Sequence, residues 1–83
     1  MKHYVVLCDW AESHSMTNGV DISGVTHSLE EAKEIFNKAT VDSREYAEKN
    51  GWTIYEDSDV CFDVGEEGFY ALEHERFYIE EVN

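Results

Sequence analysis

Between Tyr55 and Tyr70 the chain reads YEDSDVCFDVGEEGFY, with six carboxylates in sixteen residues and no lysine or arginine. Carboxylates at that density suit three chemistries: binding a divalent cation, working as an acid–base pair, and attracting a basic partner. Each needs a different geometry. Asp57-x-Asp59-x-x-x-Asp63 offers hard oxygens, but an EF-hand loop needs ligands at alternate positions, a central glycine and a closing glutamate. Here Cys61 stands at the third ligand position and Phe62 follows it. Alternation along a strand also sets side chains in a line, whereas a cation needs them to converge, so no metal is expected.

Other chemistries fare no better. Zinc would need Cys8, Cys61 and some of His3, His14, His27 and His74 to converge, and no Cys-x-x-Cys or close histidine pair seeds such a site. Cys8 and Cys61 lie in apolar runs, where a free cysteine behaves as a small buried hydrophobe, and nothing cationic nearby would lower the Cys8 pKa. A carboxylate pair of the glycosidase kind needs a cleft that 83 residues can hardly enclose. Phosphate-cradling glycine loops are absent. The expectation is a protein without catalytic residues or cofactors.

Periodicity places these side chains. KHYVVLCDW reads as a first strand, with Val5 and Leu7 on one face and Tyr4, Val6, Cys8 and Trp10 on the other. Asn18-Gly19 is a turn signal, VDISGVTH a second strand, and Gly24 suggests a bulge. Ser28-Leu29-Glu30-Glu31 fits a capping box, and Asn50-Gly51 a left-handed helix stop. Between them Leu29, Ala32, Ile35, Phe36, Ala39, Tyr46 and Ala47 recur at helical spacing, so 28–50 is expected to be one amphipathic helix. WTIYEDS, DVCFDV and RFYIEEV alternate as three more strands, Gly65–Gly68 is a turn candidate, and GFYALEHE either completes a hairpin or crosses the domain as a loop. The expectation is one α+β domain over residues 1–83, in the order β-β-α-β-β-β, with an antiparallel-rich sheet of four to five strands packed on one amphipathic helix.

One helix covers one face of a sheet. Trp52, Ile54, Val60, Phe62, Val64, Phe77 and Ile79 are the expected partners of its apolar stripe. The other face is then expected to carry Tyr55, Asp57, Asp59, Asp63, Tyr78 and Glu80, with Tyr4 a further candidate and Glu66 and Glu67 in the adjoining turn. Tyrosines supply contact area at low entropic cost, and carboxylates set orientation and on-rate. These residues are therefore the expected partner-binding site.

The charge points the same way. Nineteen Asp and Glu face six Lys and Arg, a net of −13. Residues 1–50 hold nine acids and five bases, while residues 51–83 hold ten acids and Arg76 alone. Eleven aromatics argue against disorder. Such a surface repels nucleic acid and anionic membranes and steers towards basic proteins. No signal-like or membrane-spanning run opens the chain, so a cytoplasmic, reduced protein is expected.

Size, charge and the lack of an enzyme motif resemble the short acidic proteins of bacteriophages and mobile elements. GVDISGV, SLEEAKEIF, NGWTIYEDSD and FYIEEV are similar to stretches of short proteins from Gram-positive bacteria and their prophages. Among the phage proteins are anti-CRISPR inhibitors that imitate nucleic-acid charge. The resemblance implies an acidic inhibitor blocking a basic, nucleic-acid-binding partner, and it assigns no residue roles. The alternatives are a metal- or small-ligand-binding domain and a soluble homo-oligomer, for instance a homodimer, whose acids only aid solubility.

Overall fold

Ser28 starts the helix by the mechanism its sequence suggests: its hydroxyl accepts from the Glu31 N–H at 3.3 Å, relieving one orphan donor of the first turn. The second half of the capping box takes a different form. The Glu31 carboxylate accepts from the Thr26 hydroxyl at 2.6 Å, and that hydroxyl accepts from the Ser28 N–H at 3.3 Å. Helix α1 (Leu29–Asn50) is thereby tied to the strand before it. At its other end Gly51 adopts φ 68°, and the Gly51 and Trp52 N–H groups both donate to Ala47 O. This cap swings Trp52 back against Tyr46, whose ring meets it edge-on at 5.0 Å between centroids.

The structure, a computed structural model, describes residues 2–12, 16–66 and 73–83. Around α1 stand β1 (His3–Glu12), β2 (Thr17–Thr26), β3 (Thr53–Asp57), β4 (Cys61–Gly65) and β5 (Glu73–Val82). They form one antiparallel sheet in the order β2-β1-β5-β4-β3, so the first and last strands pair at its centre. The α+β class and the element order agree with the sequence reading. No helix among the described residues is long and apolar enough to cross a membrane.

The core lies between α1 and one face of the sheet. Val6, Cys8, Phe62, Val64 and Phe77 meet Ala32, Phe36 and Ala47, with Tyr4, Trp10, Ile35, Trp52 and Ile79 packed at its margin. Phe36 and Phe62 are fully buried, and each contributes on the order of 1.5–3 kcal/mol. Tyr4 is therefore a core-margin residue and does not join the opposite face. The buried stripe of α1 also runs through Thr40 and Ser43, two polar residues at helical spacing. Thr40 is satisfied: its hydroxyl donates to Asn37 O and accepts from Arg44 Nε, both at 3.2 Å.

Several local expectations change for identifiable reasons. Asn18 and Gly19 do not turn but lie inside β2, opposite Ala11 and Trp10. Gly19 is needed there because a Cβ would stand 2.8 Å from the Trp10 ring. The bulge foreseen near Gly24 is present, since Val6 pairs with Gly24 and Leu7 with Ile22, leaving Ser23 extra. Gly65 belongs to β4, opposite His74, and β5 begins at Glu73 ahead of the expected Arg76. Residues 67–72, including Glu67 and most of GFYALEHE, lie outside the described residues, as does His14.

Gly51 isolates one term of this fold. A Cβ there meets nothing within 4 Å, so Gly51→Ala tests only the left-handed backbone. It is expected to cost about 1 kcal/mol, and Gly51→Asn less, read as a shift of the urea midpoint at constant m-value.

Candidate functional site

Because Val6, Cys8, Phe62, Val64 and Phe77 point at the helix, their neighbours in the same strands point away from it, onto a sheet face that no described element covers. Register sets those neighbours in rows. One row runs Val25, Val5, Glu80; the next Ile22, Leu7, Tyr78, Cys61; the next Val20, Asp9, Arg76, Asp63, Glu56. The β2–β1 half of this face is thus aliphatic, and the β5–β4–β3 half is polar. Val20, Ile22 and Val25 are 58%, 64% and 59% exposed. Exposed aliphatic residues are ordinary singly; here three lie together on a face that no described element covers.

Tyr78 stands where the halves meet. The Arg76 guanidinium lies 4.8 Å from its ring centroid, and burial with Asp9 and Glu80 nearby raises its phenol pKa, so it remains a neutral donor at pH 7. At the edge, the His74 ring contacts the Asp63 carboxylate, and the Tyr55 ring lies 6.3 Å from His74. The Tyr55 hydroxyl donates to Glu66 O at 3.2 Å. The structure therefore brings Tyr55, Asp63, Tyr78 and Glu80 to one face and sets the Glu66 backbone beside Tyr55.

Asp57 and Asp59 correct the sequence reading. Both belong to the helix side. Ile54 pairs with Val64 and Glu56 with Asp63, so Tyr55 is an extra residue and reverses the alternation of everything after it. Asp57 then lies opposite Phe62, where Arg44 Nη1 donates to its Oδ1 at 2.9 Å while the guanidinium covers the Phe62 ring at 4.0 Å. Lys33 binds Asp59 at 2.9 Å, and that hydrogen bond lowers the Asp59 pKa. Such half-exposed pairs contribute little; Arg44–Asp57 is worth at most about 1 kcal/mol.

A second feature lies on the helix side, where α1 leaves the far end of the sheet uncovered. Trp10 and Glu75 are direct neighbours across β1 and β5, and with Trp52, Glu12 and Glu73 they line a recess of about 190 Å³. On its other flank Glu75 borders Asp42, Ser43 and Tyr46. Burial raises the Glu75 pKa above its ordinary 4.5, with the neighbouring Ser43 hydroxyl working the other way. Ser43 is 6% exposed, and its hydroxyl makes no well-aligned hydrogen bond among the described residues.

Sequence reasoning missed this recess and the aliphatic strip. The strip had a signal: Val5 and Leu7 face away from Val6 and Cys8, and VDISGV repeats the pattern beside them. Burial pushes the Cys8 thiol up to about 12 and raises that of Cys61, so both remain protonated at neutral pH. His3 and His27 come together, with ring centroids 4.4 Å apart. Among the described residues no three His, Cys, Asp or Glu converge as metal ligands do. The chain matches no protein-family model, no curated protein and no solved structure.

Glu75 gives a pH test. A carboxyl raised by folding adds stability that is fully present below its unfolded value and is lost as pH rises through the folded value. Glu75→Gln is therefore expected to unfold at a higher temperature than the parent at pH 7, and the gap to close as pH falls towards 4.5. A gap that widens on acidification would contradict the burial.

Proposed function

We propose that the protein is a non-catalytic binding protein that docks its open sheet face onto a basic, nucleic-acid-binding surface of a cytoplasmic protein and blocks it. The observation that carries this reading is the exposed strip of Val20, Ile22 and Val25, set beside Tyr78 and bordered by Asp9, Asp63, Glu56 and Glu80. An apolar centre with a charged rim is the usual anatomy of a protein interface, and tyrosine is among its common anchors. The rim and the net charge of −13 together select a partner of opposite sign. Basic surfaces free to be occupied inside cells are, above all, those that bind nucleic acid, and this agrees with the resemblance to phage inhibitors.

The register favours obstruction over imitation of a phosphate ladder. Arg76 stands between Asp9 and Asp63, and the two carboxylates that would lengthen the ladder, Asp57 and Asp59, are held by α1. The aliphatic strip supplies burial, and the acids supply approach and choice of partner.

The test is capture from a bacterial host lysate on the immobilised protein, followed by elution with short duplex DNA or RNA. The reading expects a basic nucleic-acid-binding protein, released by the competing nucleic acid and by high salt. Ile22→Asp and Asp63→Lys should each weaken capture about tenfold or more, and Asp57→Asn should leave it unchanged. Capture that is indifferent to nucleic acid and to Ile22→Asp would overturn the reading. So would recovery of only a second copy of the chain, which would assign the strip to self-association.

A further inference from the structure

We propose that the recess between Trp10, Trp52 and Glu75 is a binding site for an organic cation, taking the guanidinium or ammonium head of a basic side chain or of a free amine. The site lies on the helix side of the sheet, and its chemistry does not depend on which partner docks on the open face. Glu75 carries the argument. Its carboxylate is half-buried and has no ion-pair partner among the described residues, although removing an unpaired charge from water is costly. Four of the chain's six lysines and arginines are engaged elsewhere, Lys2 on Glu81, Lys33 on Asp59, Arg44 on Asp57 and Arg76 over Tyr78. Neither Lys38 nor Lys49 lines the recess. Glu73 stands at the same rim and adds negative charge, and the His74 ring that also lines the recess is held by Asp63.

The walls decide the kind of cation. Two indoles border the recess, and tryptophan is the aromatic side chain that attracts cations most strongly. An indole face has no lone pair for a metal ion, but it suits a diffuse, weakly hydrated charge such as guanidinium. Both rings are held before any ligand arrives. Trp10 is seated against Gly19, where even a Cβ would stand 2.8 Å from the ring, and Trp52 is fixed by the helix cap and the edge of Tyr46. About 190 Å³ lies below the range of sites that enclose a whole drug-sized molecule, and matches the end of one long side chain.

Trp10 and Trp52 are the chain's two tryptophans and both line the recess, so tryptophan emission reports on its occupancy. The full chain is titrated at constant ionic strength with agmatine, with a capped arginine tripeptide, and with Mg²⁺ and Ca²⁺. A saturable change in emission with the guanidinium ligands, absent with the metals, is expected. Glu75→Gln should weaken it about tenfold, and Trp52→Phe, which keeps Trp10 as reporter, should weaken it as well. Tighter binding of the peptide than of agmatine identifies a protein side chain as the natural occupant, and the reverse identifies a free amine. Ile22→Asp should bind these ligands normally while failing in capture, so this site and the docking face stand or fall separately. No saturable response, an equal response from Glu75→Gln, or the same response to Mg²⁺ would overturn the proposal.

Discussion

A single α-helix is about 10–12 Å across, whereas five strands spaced by about 4.8 Å make a sheet close to 20 Å wide. That mismatch governs this protein. Helix α1 starts beside the end of β2, crosses the sheet over Val6, Phe62 and Phe77, and delivers the chain to β3 at the opposite edge. It buries a strip of one face. Among the described residues no element covers the far end of β1 and β5 on the helix side, and none packs on the reverse face. There Val20, Ile22 and Val25 are exposed, while Leu7 and Cys61 are screened by their neighbours in the sheet. Both candidate sites lie in what the helix leaves uncovered.

The uncovered regions differ in chemistry because the strands differ in what they bury. β1 is apolar on both faces: Val6 and Cys8 serve the core, while Val5 and Leu7 join Ile22 and Val25 on the reverse. β4 and β5 alternate core residues with charge, so their half of the reverse face carries Asp63, Arg76 and Glu80. Pairing β1 with β5 at the sheet centre joins the two halves at Tyr78 and, on the helix side, sets Trp10 beside Glu75. One register therefore builds both features. A slip of one residue in that pairing would dismantle them together.

Features set by neighbours in the chain were legible from sequence. Ser28, Asn50-Gly51 and the apolar spacing from Ala32 to Ala47 mark the helix because capping and periodicity act over a few residues. The three alternating runs after Gly51 mark strands for the same reason. What failed depended on contacts across the sheet. Asn18-Gly19 has the composition of a turn, yet glycine is there because Trp10 of the next strand lies across it. Strict alternation puts Asp57 and Asp59 on the face of Asp63, but the extra residue at Tyr55 reverses their direction, and Arg44 and Lys33 hold them to the helix. The recess joins residues about 65 positions apart, which no local pattern can reveal.

The central claim is that the reverse face of the sheet is open in the protein alone and is the surface a partner covers. Methyl NMR in the presence of a soluble paramagnetic agent tests it directly. The account expects strong relaxation of the Val20, Ile22 and Val25 methyls at every protein concentration, with Val6 and Val64 protected beneath the helix. Protection of Ile22 equal to that of Val6 would mean that the face is already covered, and would contradict the account.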